Sequence, residues 1–202
     1  MKTFLENIKP DIEISDNVAV IGSSYTLLNN EYGEEIDSFD DVIRFNRAPI
    51  KGFENHVGTK TTVRAANIHV FTGSPPDSRF NIKTQNPKFI KNEENCKVIC
   101  VQKVSNPKQF IHKTSVPYYM ESLSFLNKKY NLGKDPTIGF RMLYILISNG
   151  YQPTLFGFGI NESNNPTHYW EKLNHKSTYH NLNMERVTIK KWVEKGKVKI
   201  KL

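Results

Sequence analysis

Cysteine is scarce in this sequence: its 202 residues include only Cys96 and Cys100. Both lie in the segment CKVIC, which we predict to be a β-strand. Four residues along a strand span about 13 Å, too far for these two sulfurs to form a disulfide with each other. They also make a poor zinc site, because no second pair of cysteines accompanies them. We therefore expect two buried or half-buried thiols in a reducing compartment.

Long apolar runs are missing as well. The most apolar stretch, residues 142–147 (MLYILI), is far shorter than the roughly 20 residues that cross a bilayer. The first residues show no apolar core of a signal peptide, so we expect neither a cleaved leader nor a membrane anchor. Hydrophobic residues nevertheless make up 38% of the chain, which is enough for a packed core and excludes wholesale disorder.

Charge of one sign is in excess, with 28 Lys and Arg against 20 Asp and Glu. The resulting net charge of +8 suits nucleic acid, an anionic membrane or a small anionic substrate. No nucleic-acid-binding motif is recognised, so we expect no nucleic-acid partner. The lysines of 190–197 leave two interpretations open: peripheral contact with an anionic membrane, or a solvated helix end with a favourable dipole.

The pattern of apolar segments predicts alternating strands and helices. Strands are predicted at 17–22, 40–46, 61–67, 95–102 and 153–159, helices at 118–130, 137–149 and 177–194, a loop at 72–95 and an edge strand at the C-terminus. This alternation is typical of an α/β layered fold with a mainly parallel sheet, and no domain boundary interrupts residues 1–202. Ligands bind beyond the carboxyl ends of such strands. Small and polar residues stand at those positions: Gly22, Ser23, Ser24, Asn46 and Gly159.

The predicted helix at 137–149 begins with Thr137, Ile138 and Gly139. Thr137 is a suitable N-cap, and Gly139 allows another group to approach the backbone. Amides at a helix N-terminus attract phosphate or carboxylate, although an ordinary helix start has the same appearance.

The last predicted helix carries a carboxylate among apolar residues. Glu185 falls on the helical spacing of Leu182, Ile189 and Trp192, which should face the core. It either reaches solvent at the edge of the core or braces the start of the helix, where His180 lies. His168, His175 and His180 cluster nearby in sequence, and their spacings fit proton transfer better than a common zinc site.

Four segments resemble the motifs of one known family. Residues 32–49 (YGEEIDSFDDVIRFNRAP) and the sequence around them resemble the long, donor-binding motif of the eukaryotic-type sialyltransferases, glycosyltransferase family 29. Residues 136–159 look like its small motif, HYWE at 168–171 like its third, and His180 with Glu185 like its very small motif. The four occur in the family's order and cover about half of the chain.

The resemblance implies a single-domain, Rossmann-like variant of the GT-A fold. It implies that residues 17–67 and 136–159 bind a CMP-activated acidic sugar, either sialic acid or a relative such as Kdo. Residues 168–185 would be catalytic. The variable region 68–135 would face a glycan acceptor, and whether that acceptor is linked to a lipid is left open. The residues it assigns to the donor are Gly22, Ser23, Ser24, Asn46, Thr137, Ile138, Gly139, Gly159 and Tyr169.

The resemblance also implies the roles of the catalytic residues. His180 would be the general base of an inverting transfer, His168 would hydrogen-bond the departing phosphate, and Glu185 would brace the helix that follows His180. Neither a metal nor another cofactor is expected, because no Asp-x-Asp pair stands where a metal-dependent enzyme would need one.

The sequence departs from the family pattern at several positions. Ser23 and Thr26 replace asparagines, and Val18 and Gly150 stand where the family's disulfide would be. Animal members are Golgi proteins with an N-terminal anchor, which is not seen here. We therefore expect a short cytoplasmic enzyme of bacterial or viral type, peripheral at the inner face of a membrane if the basic tail binds lipid. The alternatives are a CMP-sugar-binding protein without turnover and, more remotely, a basic nucleic-acid-binding domain.

Overall fold

One sheet runs through the part of the chain that the computed structural model describes: residues 14–67, 70, 96–101, 115–118, 123–162, 168–171 and 179–202. Its strands are β1 (Val18–Ile21), β2 (Asp41–Phe45), β3 (Val63–Ala66), β4 (Lys97–Val101), β5 (Ser115–Tyr118), β6 (Thr154–Phe156) and β7 (Lys199–Lys201). Their order is β5-β4-β3-β2-β1-β6-β7, and every pairing between them is parallel.

Strand β1 lies inside the sheet and is buried on both faces. Val20 pairs with Ile43 of β2 on one side and with Leu155 of β6 on the other. All four residues of β1 are buried, as expected for a parallel strand that reads as a continuous apolar run.

Helices cover both faces of the sheet. They are a 3₁₀ helix (Tyr25–Asn29), α1 (Gly33–Asp37), α2 (Glu54–Val57), α3 (Leu123–Tyr130), α4 (Ile138–Ser148) and α5 (Leu182–Glu194). Helices α3, α4 and α5 pack against one face, while the 3₁₀ helix, α1 and α2 pack against the other, together with Tyr169. The predicted α/β layered fold with a mainly parallel sheet is confirmed.

Two predicted helices start later than expected. The helix predicted at 118–130 begins at Leu123, and Tyr118 instead ends β5, a strand that the sequence did not suggest. Pro117 fits there because β5 is an edge strand, where a missing amide is tolerated. The last helix begins at Leu182 because the Asn181 side chain accepts a hydrogen bond from the amide of Met184 and caps it. The loop predicted at 72–95 and His175 lie outside the described residues.

Two arginines are buried side by side in the sheet. Arg44 and Arg64 pair in register on β2 and β3, with 1% and 0% of their surface exposed. A buried guanidinium must be hydrogen-bonded, and Arg44 donates to the carbonyls of Val57, at 2.6 Å, and Lys60, at 3.0 Å. Arg44 thereby joins the end of α2 to the segment that leads into β3.

In the ranges described, no helix is both long and apolar enough to cross a bilayer.

Candidate active site

The first predicted cluster forms a turn at the carboxyl end of β1. The amide of Gly22 donates to the Phe156 carbonyl at 2.7 Å, and the amide of Ser24 donates to the Gly157 carbonyl at 2.9 Å. A Cβ on Gly22 would overlap the Gly157 backbone, so glycine is required for β1 to end this close to the turn after β6.

This turn lies against the third motif. Ser24 and His168 form an antiparallel bridge, and the amide of Tyr169 donates to the Ser23 carbonyl at 3.0 Å. The fold thus brings His168 to Ser23 and Ser24, although some 140 residues of chain separate them.

The imidazole of His168 is held in a defined orientation. Its Nδ1 lies 2.8 Å from the Glu171 carboxylate, and its ring stacks on Trp170 with centroids 4.5 Å apart. The side chain is 45% exposed, so a ligand can reach the ring.

Tyr169 fixes the third motif, residues 168–171, to the rest of the protein. The residue is buried, its hydroxyl donates to the Pro49 carbonyl, and its ring packs edge-to-face on Phe53 at 5.0 Å. Burial raises the pKa of Tyr169 to about 12, against the opposing charges of Arg44 and Arg64. Tyr169 therefore shapes the site through the backbone that it holds, and its assignment to the donor stays a prediction.

Asn46 follows β2 in a left-handed conformation, with a φ of 45°. Its amide donates to the Ala65 carbonyl at 2.9 Å, and its Oδ1 accepts from the amide of Asn67 at 3.0 Å. These bonds fix Asn46 at the edge where β2 and β3 end.

The start of α4 reaches the same edge of the sheet. A Cβ on Gly139 would lie 3.5 Å from the ring of Phe158 and 3.7 Å from that of Phe45. Phe45 ends β2, and Phe158 stands between the two glycines that follow β6. The helix start and the strand ends predicted to form the site are therefore neighbours.

Glu185 holds the start of α4. Its carboxylate accepts from the Thr137 amide at 2.7 Å and from the Thr137 hydroxyl at 2.6 Å, while that hydroxyl caps the amide of Phe140 at 3.1 Å. Only 5% of Glu185 is exposed, which rules out the alternative that it reaches solvent. Burial raises the pKa of Glu185 to about 7, although Thr137, Arg141 and Arg186 oppose this rise.

His180 precedes α5 and is fixed to the loop before α4. Its Nδ1 lies 2.7 Å from the Asp135 carbonyl, and next to it the Asn181 side chain donates to the Leu132 carbonyl at 2.8 Å. A carbonyl only accepts, so Nδ1 carries the proton and Nε2 of the neutral ring carries the lone pair. Burial lowers the pKa of His180, which keeps the ring neutral at physiological pH.

Three charged residues near the site were missed from the sequence. Arg141 lies buried in the apolar helix α4 and donates to the Pro136 carbonyl at 2.9 Å. Glu162 and Arg186 form an ion pair at 3.2 Å, and Glu162 also accepts from the hydroxyl of Ser24. No sequence pattern singled out these three residues, because they are identified by contacts that only the fold brings about.

Among the described side chains, no group of three or more His, Cys, Asp or Glu residues is placed to hold a metal ion. That the reaction needs no metal stays a prediction.

Comparison with known proteins decides the family. The sequence profile of glycosyltransferase family 29 (sialyltransferase) matches residues 7–92 and 82–197. The chain belongs to this family. The resemblance to this family is thereby confirmed.

Family 29 relatives match much of this chain, but the chain spans about half of their length. A CMP-N-acetylneuraminate-beta-1,4-galactoside alpha-2,3-sialyltransferase of Rattus norvegicus is 28% identical over 208 residues, 87% of this chain and 54% of that protein. A CMP-N-acetylneuraminate-beta-galactosamide-alpha-2,3-sialyltransferase 1 of Gallus gallus is 30% identical over 76% of this chain and 47% of that protein. Beta-galactoside alpha-2,6-sialyltransferase 2 of Bos taurus is 54% identical over 54 residues, 27% of this chain and 11% of that protein.

A solved structure of the family shares the fold. The crystal structure of a mammalian sialyltransferase in complex with Gal-beta-1-3GalNAc-ortho-nitrophenol superposes with a TM-score of 0.63 at 21% identity. The match covers 91% of this chain and 68% of that one.

Proposed function

We propose that this family 29 protein transfers sialic acid, or a related acidic sugar such as Kdo, from a CMP-activated donor to a glycan hydroxyl. The observation that carries the proposal is the tautomer of His180. The Asp135 carbonyl holds the proton on Nδ1, so that Nε2 is the basic nitrogen of a half-buried, neutral imidazole. This is the state that a general base needs before the reaction.

The proposed reaction is a single displacement. Nε2 of His180 takes the proton of the acceptor hydroxyl while its oxygen forms a bond to the anomeric carbon. The bond from that carbon to the phosphate oxygen breaks, its electron pair leaves with CMP, and the configuration inverts. A phosphate with a second pKa of about 6 leaves readily without full protonation.

The departing phosphate would be bound at the strand-end edge. The amides of Ile138 and Gly139 stand at the positive end of α4, where hydrogen bonds to an anion are favoured. The His168 imidazole, oriented by Glu171 and Trp170, would supply a further hydrogen bond. These groups and Asn46 would stabilise the charge that develops on the phosphate without a metal.

The test is transfer by the purified protein in the presence of EDTA. CMP-sialic acid and CMP-Kdo are each offered with a panel of free and lipid-linked glycans, and the products are identified by mass spectrometry. Transfer from either donor that survives EDTA supports the proposal. If neither donor is bound, hydrolysed or transferred, the proposal is wrong.

A second candidate is a CMP-sugar-binding protein without turnover. It is favoured by Ser23 and Thr26, which replace asparagines of the family pattern. The hydroxyl of Thr26 lies 2.9 Å from that of Ser24, and the two hydrogen-bond each other. CMP binding by calorimetry, with no transfer across the whole acceptor panel, would support this candidate over the enzyme.

The basic C-terminal segment supports a peripheral membrane contact. Exposed lysines follow one another along the end of α5 and the edge strand β7: Lys190, Lys191, Lys195, Lys197, Lys199 and Lys201. Each Lys near an anionic surface contributes about 1 kcal/mol of attraction. Sedimentation with phosphatidylserine vesicles should therefore exceed that with phosphatidylcholine vesicles and decrease with salt. Equal sedimentation would leave the solvated helix end as the interpretation.

A further inference from the structure

Glu162 lies between the turn after β1, which is next to His168, and helix α5, which follows His180. Its side chain is only 6% exposed, and it contacts residues far from it in sequence on both sides. One carboxylate oxygen accepts from the hydroxyl of Ser24, in the turn after β1. The other lies 3.2 Å from the guanidinium of Arg186 in α5, and the same guanidinium donates to the Glu162 carbonyl at 3.0 Å.

Gly159 provides the space for this carboxylate. Its φ is 53°, and a Cβ there would overlap the carboxyl group of Glu162. The amide of Glu162 donates to the Gly159 carbonyl at 3.1 Å, which closes the turn between them. Gly159, the last residue of the second motif, is therefore needed to make room for Glu162, in addition to any role in donor binding.

The contacts of Ser24 leave little freedom to its side chain. The hydroxyl donates a hydrogen bond to Glu162, while its oxygen accepts one from the amide of Thr26 at 3.1 Å. Its backbone bridges to His168. Glu162 thus fixes the side chain of the residue beside the proposed phosphate-binding imidazole.

The charge of Glu162 is balanced by its second partner. Burial raises the pKa of Glu162, while the Ser24 hydrogen bond and the charge of Arg186 lower it. Arg186 lies one turn beyond Leu182, where the helix that follows His180 begins. A buried ion pair becomes costly when one partner is removed, so the two elements are held together.

We propose that Glu162 is a positioning residue for the transfer reaction, which holds the Ser24 turn and helix α5 at the spacing that the His168 and His180 sides of the site require. The inference rests on the function proposed above. A displacement of about 1 Å between reacting groups can reduce the rate by about 100-fold.

The experiment compares Glu162→Ala with wild-type protein at a temperature where circular dichroism shows both to be folded. We expect kcat to fall about 10- to 100-fold, whereas the Kd for CMP, measured by calorimetry, changes by less than about threefold. Glu194→Ala is the control, because it removes an exposed glutamate from the end of α5, the helix that also carries Arg186. Its kcat should equal that of the wild type.

A second set of variants separates positioning from stability. Glu162→Gln with Arg186→Met removes both buried charges, so the double variant should unfold at a higher temperature than Arg186→Met alone. The link between the turn and α5 is still missing, and we expect kcat to stay about 10-fold below wild type. The double variant also tests the positioning role if Glu162→Ala does not fold.

Each outcome decides between the two proposals. Wild-type kcat in a folded Glu162→Ala protein, or in the double variant, overturns the positioning role and leaves the proposed function intact. A wild-type protein that transfers neither sugar overturns the proposed function and this inference with it.

Discussion

Glu185 accepts two hydrogen bonds from Thr137, one from its amide and one from its hydroxyl. Helix α5 is thereby joined to the N-cap of α4, and the elements that carry His180 and the proposed phosphate-binding amides become one unit. The amide of Thr137 is satisfied within the protein, which leaves the next two amides of the helix to meet a ligand.

Replacing Glu185 by alanine should destabilise the protein by about 3 kcal/mol, because a buried amide and hydroxyl lose a charged acceptor. Urea unfolding monitored by tryptophan fluorescence measures this change. Glu35→Ala is the stability control and should cost less than about 1 kcal/mol, since its ion pair with Lys201 is exposed. Equal losses in the two variants would contradict the importance of the Thr137 contact.

The pH dependence of stability should also report on Glu185. Burial raises its pKa to about 7 in the folded protein from the ordinary 4.5, so the folded state binds the extra proton between these values. The contribution to stability is complete below pH 4.5 and is lost as the pH rises through 7.

Glu185→Gln cannot titrate and should remove this contribution. At about 1.4 kcal/mol per unit of pKa, the unfolding free energy of wild type relative to Glu185→Gln should fall by about 2 to 3 kcal/mol from pH 4.5 to pH 8. Unfolding in urea at several pH values measures the difference. Parallel curves for the two proteins would show that Glu185 keeps an ordinary pKa.

His180→Ala should reduce kcat by about 10²- to 10⁴-fold, the usual contribution of a general base. Because the imidazole contacts a carbonyl rather than the proposed phosphate site, CMP binding should be preserved. In wild type, kcat/KM should rise with pH through a midpoint below 6.5, since burial lowers the pKa of His180 and only the neutral ring accepts a proton. Near wild-type turnover in the variant would remove His180 from this role.

Two glycines at the site should respond in opposite ways to alanine. Gly22→Ala should destabilise the protein by about 3 kcal/mol or more, because the new methyl group overlaps the Gly157 backbone. Gly139→Ala should keep or raise stability, since its neighbours lie at ordinary contact distance and alanine favours a helix. If Gly139 approaches the donor phosphate, its variant should nevertheless bind CMP more weakly. Thermal unfolding and calorimetry, applied to both variants, separate the two effects.

Tyr169→Phe tests whether the phenol touches the donor. The variant should lose about 1 kcal/mol of stability, because the Pro49 carbonyl loses its hydrogen bond. The KM for the CMP-sugar should stay unchanged, since the hydroxyl donates its proton to the Pro49 carbonyl rather than to a ligand. A raised KM without a loss of stability would support direct donor contact instead.

Local patterns predicted much of the fold. Strand β1 and its turn were recognisable because a buried parallel strand is a continuous apolar run that ends in glycine. A brace by Glu185 was one of two alternatives, but it was expected at the start of its own helix, and the structure instead gives Thr137, before α4, as the partner. A carboxylate on a buried helix face needs a partner that the sequence does not name. Strand β5 was missed because Pro117 argues against a strand unless its edge position is known.

The contacts between distant segments could not be predicted in the same way. Glu162 follows a strand-end turn and resembles any polar loop residue until the fold places Ser24 and Arg186 beside it. Arg141 is similarly hidden in the apolar helix α4, where its partners are backbone carbonyls that leave no trace in the sequence. Such residues are determined by tertiary structure rather than by local spacing.

The position of β1 inside the sheet affects how the chain acquires its structure. In chain order β1 is soon followed by its neighbour β2, but its other neighbour, β6, comes more than 130 residues later. Until then, β1 presents an apolar edge with unpaired amides and carbonyls, which is a site for association with other chains. A nascent or truncated chain that ends before residue 154 should therefore aggregate, and pairing with β6 both completes the turn at Gly22 and closes that edge.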